Sequence, residues 1–203
     1  EDGGDSWEQK FRKKRTFFRC LIFKDSLNGW LGTLGTGDVA LNSVDTISMY
    51  ETKDGGETWL PTVFNGPYPK GLCGLQTVSD NVIVGCGRVR GPSYFIKTEN
   101  GGKTWNSYDY NHLAGSLIAP HFYNEKHGIL IGGTTTDKKE CRSLVLETFD
   151  GGNTWDTLYI SKQKGEYCWK VSFPTKNRGF ISIQRNVQDG DFYVLQTEDG
   201  GKT

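Results

Sequence analysis

Several features that define common protein classes are missing from this sequence. Its 203 residues contain one methionine and three histidines. No apolar run approaches the roughly 20 residues that a membrane-spanning helix needs. The cysteines show neither a CxxC pair nor another zinc-ligand spacing. Phosphate-binding loops and nucleotide fingerprints are also absent. We therefore expect no transmembrane helix, no metal site and no cofactor.

The sequence also lacks an excess of charge of either sign. Its 24 basic residues balance 24 acidic ones, and 35% of the residues are hydrophobic. This composition is typical of a soluble globular protein that buries a sizeable core. Only a short basic run at 10–15 favours nucleic-acid binding, so we expect no nucleic-acid partner. The 27 glycines indicate many turns and favour an all-β protein.

Cysteine is scarce and odd in number. We predict that most of the five cysteines are small buried strand residues. Cys73 and Cys86 fall on neighbouring predicted strands, where a disulfide between them is an open alternative. An odd count leaves at least one thiol free. The full set is Cys20, Cys73, Cys86, Cys141 and Cys168.

One short phrase recurs five times and sets the organisation of the chain. It reads Asp-Gly-Gly-x-Thr-Trp, with single exceptions at the first and fifth positions, and starts at positions 2, 54, 100, 150 and 199. The last copy is cut short at Thr203, before the Trp. The steps between copies are 52, 46, 50 and 49 residues. A steady period in this range indicates a repeat architecture. Each copy is called a repeat turn below.

The chemistry of the repeat turn favours a structural role over a catalytic one. An Asp or Asn side chain accepts backbone N–H bonds, and the glycines adopt positive φ without a Cβ clash. Asn100 replaces the acid in one copy, and five equivalent acids spread around a repeat do not share one active site. We assign structural roles to Asp2, Asp54, Thr58, Trp59, Asn100, Thr104, Trp105, Asp150, Thr154, Trp155 and Asp199.

The pattern Thr-x-Asp-Gly-Gly-x-Thr-Trp resembles the Asp-box, or BNR repeat, of β-propellers such as sialidases, xyloglucanases and sortilin-type receptors. The aligned phrases at Phe23-x5-Gly29, Phe122-x5-Gly128 and Phe173-x5-Gly179 are most similar to the photosystem II stability/assembly-factor-like family. This resemblance implies four-stranded antiparallel blades with the box between strands three and four. It also implies an extracytoplasmic location. The box specifies the fold and not a function.

Period-two alternation punctuated by Gly, Asn and Asp agrees with that fold. We predict an all-β propeller in which residues 1–203 form a single domain or part of one. Residues 5–11 read as the last strand of an incomplete blade, and residues 58–64 as the fourth strand of the first complete blade. The two ends stop at the same phase, so the chain is an arc of a larger ring or closes at four blades through residues 5–11. We favour the arc. The predicted repeats are approximately 1–15 (partial), 16–64, 65–110, 111–160 and 161–203.

Propeller sites usually lie where the ring axis opens, on the face away from the repeat turns. The segments predicted to line that face are basic on balance and the turn segments acidic, which steers an anionic partner toward one side. We predict anion contact by Arg88 and Arg90, stacking by aromatic residues, and steering by the basic run. The candidate residues are Arg88, Arg90, Tyr94, Lys70, Tyr110, His112, Tyr167, Trp169, Lys13, Lys14 and Arg15.

Three functions remain open from the sequence. The favoured one is a non-catalytic platform, similar to an assembly factor, that binds a protein, peptide or glycan. A glycoside hydrolase of the sialidase or xyloglucanase type is the alternative; the latter needs two carboxylates across a cleft. The loop residues Asp38, Asp45, Asp137 and Asp189 are its candidates, although loop aspartates usually form turns. The third is a structural repeat of a larger surface protein.

Overall fold

Four antiparallel sheets make up the computed structural model, which describes residues 3–36, 44–186 and 190–202. In each sheet the strands pair in sequence order, as a meander. Three of these sheets have four strands, and the last has three among the described residues. The sheets are the blades of a four-bladed β-propeller, which confirms the predicted fold class. Within the described ranges, no helix is long and apolar enough to cross a membrane.

The strands fall inside the predicted repeats. Blade one comprises β1 (Phe18–Phe23), β2 (Gly29–Thr33), β3 (Met49–Thr52) and β4 (Leu60–Pro61). Blade two comprises β5 (Gly74–Thr77), β6 (Ile83–Gly87), β7 (Tyr94–Thr98) and β8 (Asn106–Asp109). Blade three comprises β9 (Ser116–Phe122), β10 (Gly128–Gly133), β11 (Ser143–Thr148) and β12 (Asp156–Ile160). Blade four comprises β13 (Glu166–Ser172), β14 (Gly179–Arg185) and β15 (Tyr193–Thr197).

The first strand of each blade lies nearest the axis. Strand β1 contacts β5, β5 contacts β9, and β9 contacts β13. Apolar clusters fill the three junctions between successive blades, since each blade presents one apolar face to the next. Trp30 and Trp105 meet edge to face in the first junction, with ring centroids 5.7 Å apart. Phe95 and Phe122 stack in the second at 6.2 Å. These junctions fix the positions of the loops around the axis.

The repeat turns that start at 54, 100, 150 and 199 are closed by their own polar side chains. Asp54 Oδ1 accepts hydrogen bonds from Thr52 Oγ1 and the Thr58 backbone N–H, at 2.8 and 2.9 Å. Asp54 Oδ2 accepts the Thr58 hydroxyl at 2.6 Å. In the copy that starts at 100, Asn100 Nδ2 instead donates to Thr104 Oγ1 at 2.8 Å. The Thr104 hydroxyl therefore accepts a hydrogen bond where the Thr58 hydroxyl donates one. A neutral side chain closes the same turn.

In two repeat turns, the second glycine lies against an aromatic ring of the preceding blade. Gly102 and Gly152 have φ of +89° and +94°. A methyl group at Gly102 would overlap the ring of Trp30, and one at Gly152 would lie 2.7 Å from a ring carbon of Phe95. Glycine is thus required here for its φ and for the close approach. These two repeat turns therefore join neighbouring blades.

Two strand predictions differ from the structure. Residues 5–11 form no strand. Instead, Phe11 packs on Phe18, Tyr50 and Trp59 of blade one, with ring centroids 5.4–6.1 Å apart. A strand needs a neighbouring strand to bond with, and among the described residues this segment has none. The structure therefore does not support a four-bladed ring that is closed by residues 5–11. The arc of a larger ring stays a prediction.

The second difference is the fourth strand of blade one, predicted over 58–64 and present only at Leu60–Pro61. Beyond it one further ladder bond is present, from the Thr62 N–H to Met49 O at 3.0 Å. The cysteines also settle one open alternative, because all five are free thiols and no disulfide joins Cys73 and Cys86. Burial raises the pKa of the Cys86 thiol well above its usual value. Asp2, Asp38 and Asp189 lie outside the described residues.

Candidate functional site at the propeller axis

A pocket of about 300 Å³ opens at the propeller axis and is built by all four blades. Its base is an apolar cluster in which Leu34, Cys73 and Ile118 are buried. We call it the axial pocket. Its described lining is Phe17, Arg19, Leu34, Val89, Arg90, Ser116, Thr135, Thr136, Lys138, Cys141, Tyr167, Trp169 and Asn186.

Two aromatic residues on β13 form one wall of the axial pocket. The rings of Tyr167 and Trp169 meet edge to face, with centroids 5.5 Å apart. The guanidinium carbon of Arg19, on β1, lies 4.7 Å from the Trp169 ring centroid. This is a cation–π distance, and it joins the first blade to the fourth. Burial raises the pKa of Tyr167, so its phenol is a neutral hydroxyl at neutral pH.

A loop after β6 supplies the second cation. Arg90 is exposed and has a φ of 62°, which is uncommon for a residue with a side chain. Arg88 holds this loop: its Nη1 donates to Leu34 O and Thr36 O, both at 2.6 Å. Its Nε donates to Gly91 O at 2.8 Å. The structure therefore uses Arg88 to position Arg90, and backbone strain of this kind tends to occur at functional sites.

The loop between β10 and β11 supplies the third cation, Lys138. Asp137 shapes this loop, because its Oδ1 accepts the Lys139 N–H at 2.9 Å and its carbonyl accepts the Cys141 N–H at 2.8 Å. Lys138 is exposed at the pocket rim. Arg19, Arg90 and Lys138 thus face the pocket, whose described lining contains no carboxylate. These three side chains place positive charge around the opening of the pocket.

The structure brings three predicted site residues together at the axis: Arg90, Tyr167 and Trp169. Tyr94 and Tyr110 are instead core residues, 6% and 8% exposed. The Tyr110 hydroxyl donates to Gly152 O at 2.8 Å and accepts the indole N–H of Trp155 at 2.9 Å. Neither ring is available for stacking on a partner.

The other predicted residues lie away from the axial pocket. Lys13 makes a hydrogen bond to the Tyr50 hydroxyl and an ion pair of 3.2 Å with Asp45. Lys70 lines a separate groove on blade one. His112 is exposed beside Tyr110, with ring centroids 6.1 Å apart. Lys14 and Arg15 are exposed residues of the entry segment.

Several lining residues were missed by the sequence reasoning, chiefly Phe17, Arg19 and Lys138. An alignment of the first strands of the blades with one another could have found two of them. Phe17 and Arg19 precede Phe23 by the same steps as Tyr167 and Trp169 precede Phe173. Residues at these two repeat positions line the axis in blades one and four.

The residues considered for catalysis have other partners. Asp45 is 6% exposed and accepts the hydroxyl hydrogens of Tyr50 and Thr16 at 2.7 and 2.8 Å. Those hydroxyls lower the Asp45 pKa against the opposing effect of burial. Within the described chain, no three His, Cys, Asp or Glu side chains converge as a metal site.

Comparisons with known proteins support the fold and do not identify a function. No protein-family model matches the chain, and no curated protein matches its sequence. Among solved structures it is similar to YCF48 bound to a D1 peptide, with 17% identity, a TM-score of 0.50, and coverage of 93% of this chain and 81% of that one. It is also similar to YCF48 from Cyanidioschyzon merolae, with 18% identity, a TM-score of 0.60, and coverage of 94% and 59%.

A glycoside hydrolase has the same fold. The GH74 enzyme of Niastella koreensis is 16% identical with a TM-score of 0.60, and the match covers 89% of this chain and 27% of the enzyme. The chain thus spans only part of these structures. At such identities the likeness shows the propeller fold alone, which is shared by proteins of different function.

Proposed function

We propose that this chain is a non-catalytic β-propeller platform that binds an anionic protein or peptide segment at its axial pocket, in the manner of an assembly factor. The observation that carries the proposal is that Arg19, Arg90 and Lys138 line one pocket together with the Trp169 ring, and that the described lining contains no carboxylate. On this proposal the repeat turns are Asp-boxes, which hold the blades and take no part in binding.

The size of the pocket favours a segment of a larger partner. Its volume of about 300 Å³ is at the lower limit for small-molecule sites. That space accommodates one or two side chains or a chain terminus. The three cations come from separate blades, and the packing of those blades holds them in place before a partner arrives. Pre-organisation of this kind reduces the entropic cost of binding.

The glycoside hydrolase is the weaker alternative. Two carboxylates must flank the scissile bond in most such enzymes, and the described pocket lining supplies neither. Asp45 and Asp137 are occupied by turn and core contacts. A structural role in a larger surface protein has no specific observation in its favour. An extracytoplasmic location remains a prediction of the resemblance.

Two matched peptides test the proposal. One fluorescein-labelled decapeptide carries four glutamates, and the other carries glutamines in their place. We expect the acidic peptide to bind more tightly, and we expect added salt to weaken it because exposed charges are screened. Arg90→Glu and Lys138→Glu should each reduce its affinity by about tenfold or more, since like charges then face each other.

Lys103→Glu is the matched control, because it makes the same charge change on an exposed residue of a repeat turn. It should leave the affinity nearly unchanged. Equal weakening by Lys103→Glu and Arg90→Glu would mean that only net charge matters, which contradicts the proposed site. Turnover of a xyloglucan oligosaccharide by the chain would instead favour the hydrolase.

A further inference from the structure

Two of the three blade junctions contain a lysine ammonium bound to the next repeat turn. At the first junction, Lys24 Nζ donates to Gly101 O at 3.3 Å. At the second, Lys97 Nζ donates to Gly151 O at 3.0 Å and pairs with Glu99 at 2.7 Å. These lysine side chains are only 21% and 11% exposed. A lysine ammonium thus occupies the same position beside the first glycine of these two turns, Gly101 and Gly151.

The third junction has no lysine at either of these repeat positions. Tyr123 follows Phe122 as Lys24 follows Phe23. Glu147 precedes the turn threonine as Lys97 does in blade two. The two positions that supply an ammonium elsewhere therefore hold a phenol and a carboxylate here.

The space beside the repeat turn at the third junction, which contains Gly200, is open. A methyl group built on Gly101 or Gly151 would lie 3.1 Å from a lysine Nζ. At Gly200, the equivalent glycine, the one described atom within 4 Å is Lys176 O, at 3.3 Å. A cavity of about 420 Å³ lies at this place, between blades three and four. We call it the junction cavity.

The lining of the junction cavity suits a cation. Glu147 is 16% exposed and lies 2.8 Å from His127 Nε2. The Tyr123 hydroxyl is buried and has no hydrogen-bond partner among the described residues. The His127 ring stacks on Phe149 at 4.6 Å, and Phe149 is 65% exposed. A carboxylate bonds strongly to an ammonium, and aromatic faces attract one.

The remaining charged residues of the lining are Asp199, Lys176 and Lys202. Both lysines are exposed, where water and salt screen their charges. Glu147 is largely shielded from solvent, so its field within the cavity is screened less. The charges of the cavity lining therefore still favour a cation next to the Glu147 carboxylate.

We propose that the junction cavity binds an alkylammonium group, the chemical group that Lys24 and Lys97 supply at the other two junctions. The ammonium contacts the Glu147 carboxylate and the Gly200 carbonyl, and its alkyl chain lies along Phe149 and Tyr123. Its source is a small free amine or a lysine side chain of a partner protein.

NMR titration of the intact chain tests this proposal. The probe is Nα-acetyl-lysine N-methylamide, and its neutral counterpart is Nα-acetyl-norleucine N-methylamide. We expect saturable shifts of the Tyr123, His127 and Phe149 ring resonances with the lysine compound only. Equal shifts with the norleucine compound, or no shifts with either, would overturn the proposal.

Glu147→Lys should abolish these shifts, because its own ammonium then takes the place of the ligand. Glu51→Lys is the matched control: Glu51 stands at the same repeat position in blade one, where Lys24 already bonds to the turn. Binding should survive in that variant. If Glu147→Lys does not fold, Glu147→Gln should reduce affinity by about tenfold through loss of the charge. Unchanged affinity in Glu147→Gln would contradict the proposal.

A second titration with n-butylammonium distinguishes the sources. Equal affinity for both amines indicates a small free amine, because the peptide backbone then adds nothing. Affinity for the lysine compound that is about tenfold higher indicates a partner's lysine, since amide contacts contribute as well. Either result requires ammonium binding and supports the assignment.

Discussion

The Arg19 guanidinium lies 4.7 Å from the centre of the Trp169 indole ring, although the two residues are at opposite ends of the sequence. Arg19 belongs to the first blade and Trp169 to the fourth. Their contact brings the outer members of the blade series together at the axis. It also forms the wall against which a partner would pack in the axial pocket.

A double-mutant cycle measures this contact. Arg19→Met keeps most of the side-chain length, and Trp169→Leu keeps an apolar residue on β13. We expect the two changes to couple by about 0.5–1 kcal/mol in the free energy of urea unfolding, which is the usual strength of a partly exposed cation–π pair. Additive effects would show that the two side chains do not stabilise each other.

The glycine of the repeat turn provides a second prediction. Gly56 and Gly102 occupy the same turn position with φ of +95° and +89°. A methyl group at Gly56 would have its nearest neighbours at 3.7 Å, whereas one at Gly102 would overlap Trp30. Gly56→Ala should cost about 1 kcal/mol of unfolding free energy from backbone strain alone. Gly102→Ala should cost about 1–3 kcal/mol more from overpacking.

Chemical denaturation of both variants checks this difference. Equal losses of stability would show that Trp30 yields without cost, so that the ring does not hold the turn. A larger loss in Gly56→Ala would contradict the role assigned to the blade junction.

Acid should weaken the repeat turn that starts at Asp54. The side-chain and backbone bonds from Thr58 lower the pKa of Asp54 to about 2, whereas an unfolded aspartate titrates near about 3.9. A lowered folded pKa stabilises the native state above the unfolded value. That stability is lost as the pH falls from about 4 to about 2.

Asp54→Asn tests the acid effect, because Asn100 closes the same turn with an amide. Melting temperatures measured between pH 6 and pH 2 should fall less steeply in this variant than in the unaltered chain. Asn100→Asp should have the opposite effect and steepen the fall. Identical pH profiles for all three proteins would contradict the assigned bonds.

Tyr110 separates a core role from a binding role. Its hydroxyl bonds to Gly152 O and Trp155 Nε1 within the second junction. Tyr110→Phe should therefore lower the unfolding free energy by about 1–2 kcal/mol and leave the affinity for the acidic peptide unchanged. Loss of peptide affinity in a fully folded variant would show that Tyr110 contributes to peptide binding.

The period of the repeat turn predicted the blades well, because glycine pairs and strand alternation are local features. The turn acids were also interpretable, since Asn100 shows that charge is dispensable. The site was harder to predict. Tyr94 and Tyr110 are aromatic residues beside loops, but the side to which each points depends on how the blades pack. Lys138 and Arg19 carry no motif, and only their convergence at the axis distinguishes them.

The central claim is that partners bind at the axial pocket, and 19F NMR of the chain labelled with 5-fluorotryptophan tests it most directly. Trp169 lines the pocket, whereas Trp7 is 92% exposed and lies outside it; Trp169→Phe and Trp7→Phe assign the two signals. On titration with the acidic peptide, the Trp169 signal should shift to saturation and the Trp7 signal should stay in place. A saturable shift of other tryptophan signals, with Trp169 unchanged, would contradict the account.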